Sequence, residues 1–338
     1  MSSNQRDLTL VTGATGFIGR ALVGRLLAES LLVRVLVRAP RGNDVAAFWP
    51  GHAPQVCVGD VTEPASLRDA CTDVHTVLHL ASHSPRNVAP SVDADAGHWP
   101  VTAEGTRALV GAAQRAGVQR FVLVSSVRVM SEGAAEGLDE SSVPAPTSAY
   151  GRAKLAAEVA VRNASELQGS ILRLPSVYGI GGEGLVSRMI AAVDRGWFPP
   201  PPKTVNKRSM IHLDDVVTAI LLLARRPEVV GKTYIATDGE LYSTHEIYRQ
   251  VCAALGRPAL RWATPHALLR IAALTGDVLA YLRGRSMPFD SQALDKLVGS
   301  TWYRSERIVR ELGFAPQQNL RSALPGMVAF QRESRRGT

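Results

Sequence analysis

The stretch SAYGRAKLAAE sets Tyr150 and Lys154 four residues apart. On a helix that spacing brings both side chains to one face, about one turn apart, so an ammonium can act on a phenol. A phenol has an ordinary pKa of about 10, and a nearby positive charge favours the phenolate, moving the group toward useful proton transfer. Tyr150 is therefore the candidate acid or base, with Lys154 its partner. Upstream, the apolar run in FVLVSSVRVMSEG ends at Ser125 and Ser126, and strand ends of open α/β sheets face the ligand crevice. A hydroxyl there can donate to a substrate oxygen and accept from the tyrosine. Ser126 is the better placed of the two.

A tyrosine and lysine at this spacing are common on protein surfaces, and what gives the pair meaning is the segment VTGATGFIGR at 11–20. Its glycines, Gly13, Gly16 and Gly19, follow the apolar run Leu8, Leu10 and Val11 and precede helical spacing from Phe17 to Ala28. In a strand, turn and helix, Gly13 makes the sharp turn, Gly16 lets backbone approach a pyrophosphate, and Gly19 lets the helix pack on the strand. The helix N-terminus offers free N–H groups and a partial positive charge to the phosphates. Thr15, Phe17 and Ile18 complete this candidate cofactor-binding loop. The second strand, VRVLVRAPRG, ends in Arg38, with Arg41 close behind, where a carboxylate would accept hydrogen bonds from an NAD ribose. A guanidinium accommodates the extra phosphate of NADP, so NADP is expected over NAD.

These residues require elements to position them. Apolar strands at Leu8–Val11, Val33–Val37, Gln55–Val58, Thr76–Leu80, Phe121–Val124 and Ile171–Leu174 alternate with helical stretches. The pattern predicts an α/β fold with a doubly wound parallel sheet, the Rossmann arrangement. Helices are expected over Val101–Ala116, closed by Gly117, and over Tyr150–Leu167, closed near Gly169. Past the proline run Pro199–Pro202 the chain becomes more helical and irregular. The expected division is a dinucleotide-binding domain of 1–178 with 209–238, and a smaller, mostly helical substrate domain of 179–208 with 239–338.

The bulk properties narrow the function classes. With 338 residues, 46% of them hydrophobic, the chain can bury a sizeable core. The start, MSSNQRDLTL, has no apolar stretch of a signal peptide, and runs such as Val216–Ala224 are less than half the length a bilayer needs. A cytoplasmic protein with no membrane span is expected. Cys57, Cys71 and Cys252 are odd in number and lack metal spacing, which fits reduced thiols and no metal site. A net charge of +8 could serve nucleic acid, but the basic residues are scattered and no aromatic-and-basic module appears. An anionic small substrate, an acidic membrane face or a solvated surface explains the charge equally well.

Taken together, TGATGFIG at 12–19, GDVTEP at 59–64, VLHLAS at 77–82, EGTRALVGAAQRAGVQRFVLVSS at 104–126, YGRAK at 150–154, LRLPSVYG at 172–179 and RSMIHLDDVV at 208–217 carry a resemblance. Over nearly all its length the chain resembles the extended short-chain dehydrogenase/reductases of the NAD-dependent epimerase/dehydratase family. The resemblance implies Asp60 and Val61 beside the adenine, Ala81 lining the cofactor groove, and Lys154 also bonding the nicotinamide ribose. It implies Pro175 and Tyr178 at the nicotinamide end, Tyr178 on the substrate side, and Arg208 meeting the nucleotide of a sugar nucleotide. A homodimer through the helices near Val101–Ala116 and Tyr150–Leu167 is implied as well.

Departures from the family pattern narrow the chemistry. Sugar-nucleotide 4,6-dehydratases carry Thr-Asp-Glu where this chain has Ser126, Val127 and Arg128, so elimination of water lacks its acid and base. Met130 replaces a frequent aromatic residue and Thr102 the usual Asn. The segment SSVRVMSEG is most similar to a subgroup of bacterial polysaccharide enzymes that resemble 4-epimerases and 4-keto reductases of UDP-linked sugars. The leading expectation is an NADP-preferring reductase at C4 of a nucleotide-linked sugar in polysaccharide precursor synthesis. A 4-epimerase stays open, as does a reductase of a hydrophobic carbonyl, steroid or flavonoid-like, with Pro265–Leu282 shaping an apolar pocket. A non-catalytic NAD(P)-binding scaffold also stays open, although intact Ser126, Tyr150 and Lys154 count against it.

Overall fold

The computed structural model describes residues 7–38, 45, 48–83, 97–130, 137–196, 198, 200–203, 205–260, 262–283 and 291–336. Its first half alternates β1 (Leu8–Thr12), α1 (Phe17–Ala28), β2 (Val33–Val37), β3 (Gln55–Val58), α2 (Leu67–Cys71), β4 (Val74–His79), α3 (Gly105–Arg115), β5 (Arg120–Ser126), α4 (Ala149–Arg162) and β6 (Gln168–Leu174). There follow β7 (Ser176–Tyr178), α5 (Leu185–Asp194), β8 (Arg208–His212), α6 (Leu213–Arg225), β9 (Thr233–Ile235), β10 (Leu241–Tyr242) and α7 (Thr244–Ala254). The chain closes with α8 (His266–Arg283), α9 (Ser291–Val298), α10 (Glu306–Leu312) and α11 (Leu320–Arg336).

Seven strands form one sheet in the order β3-β2-β1-β4-β5-β6-β9, and every pairing is parallel. Such strands are covered on both faces and so read as continuous apolar runs rather than alternating ones; all five residues of β1 are buried. Leu22, Val23 and Leu26 of α1 pack with Val216, Ile220 and Leu223 of α6 on one face. Leu109 and Ala113 of α3 pack with Ala157 and Val161 of α4 on the other. The strand order reverses between β1 and β4, which opens a crevice beyond their C-terminal ends.

A second sheet, β10-β8-β7, was not anticipated; β7 and β8 are parallel, and β10 is antiparallel to β8. Its strands are two to five residues long, too short to stand out as periodic segments. Tyr178 and Met210 of this sheet share a core with Ile190 of α5, Ile247 of α7 and Leu324 of α11. The helix α10 and Phe314, which the expected division assigns to the second domain, contribute Ile308, Leu312 and Phe314 to the core of the large sheet.

Two expected helices are shorter than their patterns. The expected Val101–Ala116 helix opens as a π-helical segment, Trp99–Glu104, before regular helix at Gly105. The helix from Tyr150 stops at Arg162 instead of Leu167, because β6 must begin at Gln168 to pair with Arg120 and the chain needs the intervening residues to turn. In the proline run, the carbonyl of Pro200 accepts from the backbone and hydroxyl of Thr264; Pro199 lies outside the described residues. The three cysteines are free thiols. Among the described residues, no helix is long and apolar enough to cross a membrane.

Candidate active site

The glycine loop lies against the end of β4. Gly13 has φ 68°, and a Cβ there would sit 2.7 Å from the Ala81 nitrogen, so only glycine satisfies both the turn and the approach. A Cβ on Gly19 would come within 2.1 Å of the Gly13 carbonyl and 2.8 Å of the Ala14 α-carbon, so α1 is packed tightly on the loop that follows β1 rather than on the strand itself. Gly16 donates its N–H to Gly13 O at 3.0 Å and caps α1 without a side chain. The first turn of α1 carries no acidic residue, so the positive helix end faces the crevice without a carboxylate to neutralise it. Thr15 is exposed, and Phe17 and Ile18 are half-buried beside it.

Along the sheet edge, Arg38 is 84% exposed, with its Nε 4.0 Å from Asp60 Oδ2. The other Asp60 oxygen accepts from the Thr62 backbone and hydroxyl at 2.8 Å. Val61 is buried against Gly105, and Ala81 donates its N–H to Thr12 Oγ1. Arg41 lies outside the described residues. A loop that a Cβ would fill, an uncapped helix start and a strand-end guanidinium beside a carboxylate fit a dinucleotide laid across this edge.

Geometry for proton transfer arises where α4 meets β5. Ser148 caps α4 by accepting from Gly151 N–H. A Cβ on Gly151 would lie 2.3 Å from the Arg128 carbonyl, so glycine there lets α4 lie against the turn that follows Ser126. Tyr150 and Ser126 thereby come close enough for the Ser126 hydroxyl to act on the phenol, while Ser126 Oγ accepts from Arg128 N–H at 3.2 Å. The alternation of β5 sends Ser125 the opposite way. Its hydroxyl donates to Glu158 at 2.6 Å, which leaves Ser126 as the serine of the site.

The electrostatics differ from the sequence expectation. Burial raises the Tyr150 pKa above the ordinary phenol, opposed first by the Ser126 hydrogen bond and then by the positive charge of Arg128. Arg128 is the charge that lowers the phenol's pKa, and Lys154 stands over the ring. Its Nζ stands 6.0 Å from the Tyr150 ring centre and donates to Val124 O at 2.9 Å. Helical spacing sets the two side chains on one face, but the strand carbonyl takes the ammonium. Burial pushes Lys154 down to about 8, with Glu158 opposing. Glu158, wholly buried, is held by Arg173 Nε and Nη2 at 2.9 and 2.8 Å and by Arg162 at 2.7 Å.

Two histidines with no motif to announce them complete the surroundings. The His98 ring meets Tyr150 edge to face, with centres 5.3 Å apart, and His83 meets His98 at 4.9 Å. Below them His79 is wholly buried, and burial pushes it down to about 3, with Lys154 adding to the effect. Thr106 donates to the Thr102 carbonyl, so it accepts from His79 Nε2, and Thr12 then donates to Nδ1. This neutral tautomer links the glycine-loop strand to α3. The only advance signal for the pair at 83 and 98 was proximity to VLHLAS and EGTRALV in the sequence.

On the substrate side, Pro175 is buried. Tyr178 is buried too, and its hydroxyl donates to Asp238 at 2.8 Å. Arg208 is half-buried, its Nε donating to Thr244 Oγ1 at 3.1 Å. Burial and then the neighbouring Arg128 charge push Arg208 down to about 10. The Arg128 charge thus acts on both Arg208 and Tyr150. Among the described residues, no three His, Cys, Asp or Glu side chains could together hold a metal ion.

Comparison with known proteins gives the family and the fold. The model of the NAD dependent epimerase/dehydratase family matches residues 9–236. The chain is 27% identical to a UDP-glucose 4-epimerase of Vibrio cholerae, covering 92% of this chain and 91% of that one. It is 32% identical to the sterol demethylase protein B of Methylococcus capsulatus, covering 96% and 98%. The solved structure of MoeE5 in complex with UDP-glucose and NAD superposes with a TM-score of 0.75 at 27% identity, covering 97% of this chain and 99% of that one.

Proposed function

The chain belongs to the NAD-dependent epimerase/dehydratase family, and from that premise we propose that it is an NAD(P)-dependent oxidoreductase reducing a carbonyl at C4 of a nucleotide-linked sugar. The observation that carries the substrate class is the pair Arg128 and Arg208. Arg208, already donating to Thr244 Oγ1, and Arg128 bring positive charge to the side of the Ser126 and Tyr150 hydroxyls, and positive charge there suits an anionic substrate portion such as a diphosphate. Similarity to the UDP-glucose 4-epimerase and to MoeE5, which binds UDP-glucose, supports this reading.

When bound, the nicotinamide supplies hydride to the carbonyl carbon. The Tyr150 O–H breaks and its proton goes to the carbonyl oxygen, which becomes the alcohol. A phenol is protonated in the neutral range, and burial raises its pKa further, so Tyr150 has a proton to give to the carbonyl oxygen. Ser126 donates to the same oxygen and orients it, and Lys154 holds the nicotinamide ribose. Gly13, Thr15, Gly16, Phe17, Ile18 and Gly19 would hold the pyrophosphate, with Ala81 and Pro175 along the groove. Asp60 and Val61 would take the adenosine end. Arg38 would take a 2′-phosphate, which is the basis for preferring NADP. A 4-epimerase would use the same groups, with Tyr150 taking the proton before returning it.

A second reading, reduction of an apolar carbonyl substrate, is favoured by the similarity to the sterol demethylase protein B. Calorimetry with nucleoside diphosphates at saturating cofactor separates the two. The sugar reading expects UDP or another diphosphate to bind more tightly than millimolar. Arg208→Ala should weaken it about ten- to a hundredfold, the worth of a charged hydrogen bond, and leave cofactor affinity intact. If no diphosphate binds and an apolar ligand binds with a negative heat-capacity change instead, the second reading replaces the first.

A further inference from the structure

The helix α8 presents apolar side chains outward. Leu269 and Ala273 are buried and pack with Leu294 of α9, and Gly276 continues that buried stripe. At about 100° per residue, Ile271, Leu274 and Val278 lie opposite it, where a helix at an aqueous surface normally turns its charged face. Instead Leu268, Ile271, Leu274 and Val278 each expose more than half their surface. Trp262 and Leu260, just before the helix, are also exposed.

Thr275 and Asp277 of α8 turn away from this face, and the exposed Arg270 flanks it four residues before Leu274. The Thr275 hydroxyl is turned back onto the Ile271 carbonyl at 2.6 Å. The Asp277 carboxylate accepts from the backbone and hydroxyl of Ser291, at the start of α9. Grouped exposed aliphatics of this kind mark an interaction surface.

We propose that α8 docks this protein on an anionic lipid membrane, lying in the plane of the interface with Ile271, Leu274 and Val278 in the acyl boundary. Charge selects the occupant. In sequence the stretch 257–283 carries Arg257, Arg261, Arg270 and Arg283 against Asp277 alone, in a chain of net charge +8; Arg257 is engaged by Asp194 and Arg270 is exposed, and basic segments are drawn to anionic headgroups. A second copy is disfavoured by the same net charge, since a two-fold contact would bring two basic segments together. The helix is 18 residues long and does not qualify as a span, which leaves the in-plane mode. A tryptophan suits the headgroup level, where its ring is half in hydrocarbon. The inference goes beyond the proposed reaction and does not depend on it.

Co-sedimentation with vesicles of phosphatidylcholine, alone or mixed with phosphatidylglycerol, tests the proposal. The wild type should pellet with the mixed vesicles and less with the neutral ones. The triple variant Ile271→Glu, Leu274→Glu and Val278→Glu should bind at least about a hundredfold more weakly, given the apolar area withdrawn from lipid, with cofactor affinity unchanged. Mixed vesicles should also shift the wild-type fluorescence to shorter wavelength, and Trp262→Phe should remove that shift, a readout that does not depend on the triple variant folding. The proposal is overturned if the wild type stays in the supernatant with both vesicle types, or if the triple variant pellets as well as the wild type. It is equally overturned if sedimentation velocity shows a wild-type dimer that the triple substitution converts to monomer, which would make a second copy the occupant.

Discussion

At the scale of single residues, Tyr150 works under constraints set by its neighbours: burial raises its pKa, and the Ser126 hydroxyl and the Arg128 charge lower it. Tyr150→Phe removes the transferable proton and little else. Turnover should fall about 10²- to 10⁴-fold with cofactor affinity preserved; steady-state rates and a cofactor titration measure both, and a loss below about tenfold would count against the role. Arg38 is the residue on which cofactor choice turns. Its guanidinium reaches Asp60 only at 4.0 Å and is mostly free for a phosphate. Arg38→Asp should weaken NADPH about ten- to a hundredfold relative to NADH. Equal losses for the two reduced cofactors would remove the argument for NADP.

Among elements, the seating of α4 on the turn after β5 decides whether the site exists. Gly151 is at that contact, its α-carbon facing the Arg128 carbonyl with no room for a methyl group. By helix propensity alone, Gly151→Ala should stabilise α4 by up to about 1 kcal/mol. The steric argument wins, because the obstructing atom is backbone; the expected outcome is about 1 to 3 kcal/mol of lost stability. The displaced helix start also separates Tyr150 from Ser126, and an error of about 1 Å can cost about a hundredfold in rate. Thermal unfolding and kcat should therefore fall together. A variant more stable than the wild type would show that the contact relaxes freely.

Over the whole molecule, one carboxylate ties the second sheet together. Asp238 Oδ2 accepts from Tyr178 of β7 and Tyr242 of β10, and the Asp238 N–H donates to Met210 of β8. Burial raises Asp238 from the ordinary 3.8 to about 6, with the two tyrosine hydroxyls opposing. A carboxyl raised on folding binds more protons folded than unfolded between those values. Its contribution is therefore complete below about pH 4 and lost as pH rises through about 6. At about 1.4 kcal/mol per unit, the loss is at most about 3 kcal/mol. Asp238→Asn keeps an acceptor oxygen and removes the titration, so urea unfolding should favour the wild type over the variant more at pH 4 than at pH 7. A difference that does not change with pH would place the shift elsewhere.

What was legible in the sequence is what neighbours along the chain determine. The helix α1 and the strands β2 and β3 begin and end where their apolar periodicity says, and Gly13 and Gly19 occupy positions where a Cβ has no room. Local sterics and hydrophobic spacing suffice for these, since each is decided within a few residues. Tertiary structure decided the rest. The helix α4 stops at Arg162 because β6 must pair in register with β5. The strands β7, β8 and β10 are recognisable only beside one another, across more than 60 residues of chain. His98 became a neighbour of Tyr150 through packing of the Trp99–Glu104 segment on α4, and Arg128 became the cation that acts on it through packing of α4 on the turn after β5. Spacing of four residues set Lys154 on the right face, but the direction of its ammonium depended on a carbonyl of Val124, thirty residues away. Charge acts through space, and the sequence orders residues only along the chain.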